Sequence, residues 1–334
     1  MKIMLHLKSY FFYKIGKLTL LVLSSLILTS VCFGQSTKKI NTIIIDPGHG
    51  GSDRGAIGEY EGALGLKEKD VTLAISMKLV DILKKELPTV KIIPSRTTDI
   101  FMNVREKAEF ANENHGDLFV CIHADAVDLK TGSRIIGYRA ERYTTTHYTG
   151  KGRKRKKIVT SHTREVPIKE YFKIPTTRKG TSTLILVARQ SADKVKALEK
   201  SSDLQFDIAG NDSTLDINYD SPEYKASAML YSQLYFKKSY QLASTVQEEI
   251  AKTGRNDLGV WQRQKGLWVL HATNMPAILI ETGFLANPDD ERYLASSKGQ
   301  DEIAQAIANA IVKYRTQVET PKSSPISTSS QPSK

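Results

Sequence analysis

Cysteine is nearly missing from this chain, and acidic residues are missing altogether before Asp46. The two cysteines are Cys32, inside an apolar run, and Cys121, inside a second apolar run. No disulfide framework can be built from that pair, so a packed core must hold the fold together. With 334 residues and 40% apolar content, the chain has the material for one. Beyond Phe33 no apolar run approaches the length of a membrane span. Internal repeats are missing too, as is any HExxH-type histidine spacing.

The amino terminus has Lys2, Lys8, Lys14 and Lys17, followed by an apolar stretch from Leu18 to Phe33. That is short for a span and suits the core of a signal peptide. We expect a signal peptide over 1–34, cleaved before Gln35, and export to the periplasm or cell envelope. Acylation of Cys32 is disfavoured by the bulky Val31 before it, and an uncleaved anchor is the remaining alternative. The formal charge of +12 becomes +8 without the four lysines. It is concentrated in residues 127–179, where 15 Lys/Arg face 4 Asp/Glu, so the rest of the exported chain stands at −3. Such a segment suits an anionic wall polymer or a membrane surface better than nucleic acid, although a merely solvated loop would look the same.

What is present is an α/β rhythm. Ile43–Ile45 reads as a buried strand, and Glu68 to Pro88 brackets a helix with Val71, Ile75, Leu79 and Leu83 on one face. Val90–Ile93 reads as a strand, 101–115 as a helix, and Leu118–Ile122 as a fully apolar strand. Strand and helix alternating in this way predict a mostly parallel twisted sheet covered by helices on both faces. The rhythm breaks at 127–179, expected to be hairpins or a mobile loop. Thr181–Ala188 returns as a strand, a short helix is expected near 192–200, and Ser221-Pro222-Glu223 opens a long helix running to Thr253. Gly266–Leu270 and Ala277–Ile280 are expected as the last strands and Ile303–Tyr314 as the closing helix. The Ser/Pro/Thr-rich 316–334 is expected to be a disordered tail. The whole reads as one domain over 35–315 with an insertion at 127–231.

Four chemically active side chains fall at strand ends or on the facing loop. His49 sits between glycines after Ile43-Ile44-Ile45-Asp46-Pro47, and His123 follows Leu118–Ile122. Glu281 ends Ala277–Ile280, and Glu68 opens the first helix. The carboxyl edge of such a sheet is where ligands bind. Two histidines and a carboxylate with an open fourth position make a catalytic zinc site, and a further carboxylate can handle protons. Each residue also has an ordinary reading. Glu68 is a good first-turn acid for the helix dipole. His123 would serve as a hydrogen-bonded core histidine, and Glu281 would pair with Arg96 or Arg105. Asp46 and Asp125 are candidates to orient the imidazoles from behind.

The blocks DPGHGGSDRGAIG, KEKDVTLAI, FANENHGDLFVCIHADA and WVLHATNMPAILIETGFLANPDDERYL resemble the zinc-dependent N-acetylmuramoyl-L-alanine amidases, the cell-separation type of peptidoglycan hydrolase. The resemblance covers about 40–126 and 235–315. It implies a zinc exopeptidase-like fold, a zinc ion held by His49, Glu68 and His123, and Glu281 as catalytic general base and acid. It also implies hydrolysis of the amide between N-acetylmuramic acid and the L-alanine of the stem peptide, in wall turnover or daughter-cell separation. By analogy with cell-division amidases, part of 189–231 is expected to cover the site, with Glu199 or Glu223 reaching the metal until a protein activator displaces it. The chain departs from the pattern at Asn256-Asp257-Leu258-Gly259-Val260 and at Val269-Leu270-His271. The alternatives are a zinc peptidase cutting within the stem peptide and a non-catalytic peptidoglycan-binding module.

Overall fold

The structure, a computed structural model, describes residues 39–125, 127–186, 222–263 and 267–320. Contacts divide the chain into a compact unit, Ile40–Arg315, and a second unit of Met1–Lys39 with Thr316–Lys334. Of the second unit only Lys39 and residues 316–320 are described. The signal peptide expected at 1–34 lies outside the described residues.

The compact unit is built on a six-stranded sheet in the order β2-β1-β3-β8-β6-β7. β1 (Thr42–Pro47) lies between β2 (Lys91–Pro94) and β3 (Leu118–Asp125), parallel to both. β8 (Ala277–Phe284) pairs parallel with β3. β6 (Thr181–Leu186) runs antiparallel to β8, and β7 (Asp257–Arg263) runs parallel to β6. Successive side chains point to opposite faces of a strand, and in β6 and β8 every one is buried. Both faces of the sheet are therefore covered, as the continuous apolar runs require.

The helices are α1 (Glu68–Glu86), α2 (Val104–Glu113), α3 (Pro222–Ala251), α4 (Trp268–Ala272), α5 (Pro288–Ala295) and α6 (Ser297–Glu319). α1 buries Val71, Ile75, Leu79 and Leu83, spaced at i, i+4, i+8 and i+12. α2 starts late within its expected span because Asn103 caps it. The Asn103 side chain accepts from the amides of Arg105 and Glu106, while Glu106 accepts from the Asn103 amide at 2.8 Å. Asn287 caps α5 through its side chain, which accepts from the amides of Asp289 and Asp290, with Pro288 in the first turn.

Several expectations need correction. The apolar run after Gly266 forms the helix α4 rather than a strand, and it buries Val269 and Leu270 against Ala108 and Ala111 of α2. A short apolar run carries no period that separates the two states. β7 escaped notice because Gly259, at φ 83°, and a register shift opposite Thr181–Thr183 break its alternation. The closing helix continues to Glu319, so residues 316–319 are helical rather than part of a disordered tail. β6 belongs to the central sheet, which divides the insertion expected at 127–231 into two. The first piece is a two-stranded antiparallel ribbon of β4 (Thr131–Thr149) and β5 (Lys156–Lys173). The second, 187–221, lies outside the described residues, as do the helix expected near 192–200, Glu199 and the side chain of Glu223.

Candidate metal centre

β1 stops at Pro47, and the chain turns so sharply that His49 adopts φ 57°, a left-handed conformation rare for a residue with a Cβ. The turn is held from behind. The Gly48 amide donates to the Ile122 carbonyl at 2.8 Å, and the Gly48 carbonyl accepts from Thr72 Oγ1 and Arg96 Nη2, both at 2.8 Å. Buried Arg96 also donates to the carbonyls of Pro47, Lys69 and Thr98. Its planar fork thus ties the end of β1 to the start of α1. Of the two arginines that stood as alternatives for Glu281, Arg96 is committed to this turn, and Arg105 lies 5.9 Å above the Trp268 ring.

Glu68 stands between the two histidines. Its Oε2 lies 3.1 Å from His49 Nε2 and accepts from the Ala56 amide at 2.7 Å. Its Oε1 lies 2.8 Å from His123 Nδ1 and accepts from the Ala124 amide at 3.0 Å. The two imidazoles meet edge-on with centroids 4.9 Å apart. One ligand atom from each of His49, Glu68 and His123 falls within 4.8 Å of the others. Two imidazoles and one carboxylate, partly open to solvent, are the donor set of a zinc ion that keeps a coordination position for water or substrate. The residues present therefore fit the metal that the sequence leads one to expect.

Electrostatics agree with this grouping. Burial pulls the His49 pKa down, but hydrogen bonds and charge from Glu68 and Asp53 outweigh it and leave the imidazole raised above 6.5. Burial pushes the Glu68 carboxyl up, and the two histidines more than reverse that, holding it far below the ordinary carboxylate range. Asp53 Oδ2 lies 2.8 Å from His49 Nδ1, so the carboxylate behind that imidazole is Asp53. From the sequence alone, Asp46 and Asp125 are the candidates for such a role. Asp46 is instead engaged with Ser95, with Lys107 Nζ at 3.0 Å and with Cys121 Sγ at 2.9 Å. Asp53 follows His49 by four residues inside a glycine-rich turn, where neither helical nor strand spacing points to it.

Two glycines are required for space. A Cβ on Gly48 would fall 2.7 Å from His123 Cε1 and Nε2, and one on Gly55 would fall 2.5 Å from Glu68 Oε2. Glu281 is the register partner of His123 across β3 and β8, and the residue is 6% exposed. Register partners in adjacent strands share a face, so the fourth candidate stands beside the triad. Thr282, next along, donates to the His123 carbonyl at 2.8 Å and fixes that alignment. The loop before α1 is secured by Glu291 of α5, which accepts from Tyr60 Oη at 2.5 Å and from the amides of Leu64 and Leu66. Sequence reasoning missed this buried carboxylate because it lies more than two hundred residues from the loop it holds.

Comparison with known proteins supplies the context. A family model described as N-acetylmuramoyl-L-alanine amidase matches residues 43–313. N-acetylmuramoyl-L-alanine amidase AmiC of Escherichia coli O6:H1 is 26% identical over 274 residues, covering 81% of this chain and 52% of its own. AmiA of Salmonella typhimurium is 26% identical over 285 residues, covering 83% of this chain and 78% of its own. The chain spans about half the length of the first two curated relatives it matches. The crystal structure of an N-acetylmuramoyl-L-alanine amidase from Clostridium difficile 630 is 24% identical with a TM-score of 0.50, covering 83% of this chain and 97% of that one. That likeness shows the fold.

Proposed function

The chain belongs to the N-acetylmuramoyl-L-alanine amidase family, and from that premise we propose that it is an exported zinc amidase of peptidoglycan. The bond cut is the amide between N-acetylmuramic acid and the L-alanine of the stem peptide, in wall turnover or daughter-cell separation. The observation that carries the reading is the convergence of His49, Glu68 and His123 within 4.8 Å, with Glu281 in register beside them.

In this reading His49, Glu68 and His123 hold the zinc, and Asp53 orients His49. A zinc ion bound there supplies Lewis acidity toward the amide carbonyl and toward water. Glu281 takes a proton from the attacking water and delivers it to the leaving L-alanine nitrogen, so the C–N bond breaks with the charge balanced. Lysines at the amino terminus and the apolar run after them direct export to the periplasm or cell envelope. Among the described residues no helix is long and apolar enough to cross a membrane. The same reading has an activator relieve occlusion by part of 189–231, and gives the basic 127–179 segment an anionic polymer or membrane surface to contact.

The test is digestion of purified peptidoglycan with zinc, beside Glu281→Gln, with products read by mass spectrometry. Free stem peptides bearing an L-alanine amine, made by the parent chain and not by the variant, are the expected result. Cleavage only within the stem peptide would overturn the assignment in favour of a peptidase. If the parent chain is silent, repeating the digestion without 189–220 should release the activity. Silence there too would leave a binding module.

A further inference from the structure

Among the described residues the β4–β5 ribbon pairs with no other strand, and nearly every residue along it is exposed. At 19 residues its first strand extends roughly 60 Å. A lone two-stranded ribbon is marginal in water, and this one carries exposed Ile, Val and Tyr side chains that contribute nothing to its own core. Lysines often guard open strand edges against aggregation, but that role spreads them along the edge. Here the charge is polarised. All three acidic residues of the ribbon, Glu141, Glu165 and Glu170, lie at or below the Glu141–Arg164 pair. Beyond that pair stand Arg142, Lys151, Arg153, Lys154, Arg155, Lys156 and Lys157, with no acidic residue among them.

We propose that the distal half of this ribbon is a docking arm for an anionic phospholipid surface. Cations alone would suit any polyanion. The apolar side chains between them decide the class of partner. Tyr148 and Val159, 52% and 53% exposed, are diagonal neighbours on one face, with Lys157 directly opposite Tyr148. Arg155 lies 4.4 Å above the Tyr148 ring, and Ile158 is exposed on the other face. Tyrosine and branched aliphatics both gain by entering the boundary between headgroups and acyl chains, whereas a hydrated glycan can stack on a tyrosine ring but gives Val159 and Ile158 no apolar medium to enter. Lys and Arg beside them meet the lipid phosphates.

Charge also orients the arm. Outside 127–179 the exported chain carries −3, so an anionic surface attracts the tip and not the body. The root is tied next to the candidate metal centre. β4 begins six residues after Asp125, the Glu61 amide donates to the Lys173 carbonyl at 3.1 Å, and Arg134 pairs with Glu61 at 2.7 Å. The loop so tied leads into Glu68. An arm docked at its tip thus holds the site up to its own length from the lipid, which is where a wall polymer lies. Lipid docking itself does not depend on the amidase reading.

The test uses the chain from Gln35 onward, which keeps the whole compact unit, in sedimentation with phosphatidylcholine vesicles containing or lacking phosphatidylglycerol. One variant replaces Lys154, Arg155, Lys156 and Lys157 by Gln; a second combines Tyr148→Ser with Val159→Ser. The parent should bind only the phosphatidylglycerol vesicles. At roughly fivefold for each cation, the first variant should bind at least a hundredfold less well. The second should also lose binding while its charge is unchanged. Circular dichroism melting and peptidoglycan digestion, measured separately, should match the parent for both variants, which keeps a folding or catalytic failure distinct from loss of docking. The proposal is overturned if the parent does not prefer the anionic vesicles. It is equally overturned if the second variant binds like the parent and soluble polyglutamate competes fully, because the arm would then read a polymer.

Discussion

His123 and Glu281 occupy the same level of adjacent parallel strands, β3 and β8, and Thr282 locks that level by bonding to the His123 carbonyl. A proposed metal ligand and a proposed proton carrier are thereby fixed relative to each other by backbone pairing rather than by a flexible loop. Glu281→Gln keeps shape and removes the base. We expect at least a hundredfold loss of amide hydrolysis with unchanged zinc stoichiometry, measured by digestion rate and metal analysis on the same preparation. Loss of zinc together with activity would make Glu281 part of the metal site instead.

Gly55→Ala tests the space around the centre. The added methyl would meet Glu68 Oε2 and His49 Cδ2 at a position where φ is already 65°. Strain of about 1–2 kcal/mol is expected in thermal unfolding, with a zinc affinity lowered more than tenfold. An affinity equal to the parent's would show that the loop relaxes without moving the ligands.

Asp53→Asn removes the charge behind His49 while keeping a hydrogen-bonding side chain. Residues that orient a ligating imidazole typically contribute 10–100-fold in metal affinity, and a loss in that range is expected in competition with a chelator. Asp46→Asn should instead lower stability with little direct effect on the metal, because Asp46 faces Lys107, Ser95 and Cys121.

The contrast between those two aspartates shows what the sequence could carry. Strand ends are legible because apolar runs stop at a polar residue, and three of the four candidates, His49, His123 and Glu281, were found in that way. Glu68 was legible as the first-turn acid of a strongly periodic helix. Asp53, Glu291 and the cradle around Arg96 were not, because each works through bonds set by loops or by elements far apart in the chain. β7 and α4 were missed for a local reason, since a left-handed glycine broke one alternation and five residues gave the other no period.

Arg96→Lys should not be a conservative change. The guanidinium donates to four carbonyls at one place, including those of Pro47 and Gly48, the two residues that lead into His49. A lysine has a single nitrogen and would lose most of these charge-assisted bonds, although each carbonyl keeps a second donor in Lys107 Nζ, Thr72 Oγ1 or the Ile100 amide. We expect a net destabilisation of roughly 2–4 kcal/mol in denaturant titration, with weakened zinc binding because the His49 turn is no longer held. A stability unchanged within error would mean that Thr72 Oγ1 on the Gly48 carbonyl, Lys107 Nζ on the Pro47 carbonyl and the Gly48–Ile122 backbone bond hold the turn without the guanidinium.

Acidity should move metal binding and metal-free stability in opposite directions. In the metal-free chain burial lowers the His49 pKa, Glu68 and Asp53 more than offset it, and the folded value lies above 6.5. A raised pKa means that the folded state holds the proton more tightly than the unfolded one. Its stabilising contribution is then fully present below 6.5 and is lost as pH rises through the folded value. Zinc needs the same imidazole without its proton, so its affinity should rise over the window in which that contribution is lost. Melting of the metal-free chain and zinc titrations, taken across the same pH series, should therefore show opposed slopes. Titrations in two buffers of different ionisation enthalpy should register proton release on binding. Slopes of the same sign, or no proton release near 6.5, would remove His49 from the ligand set.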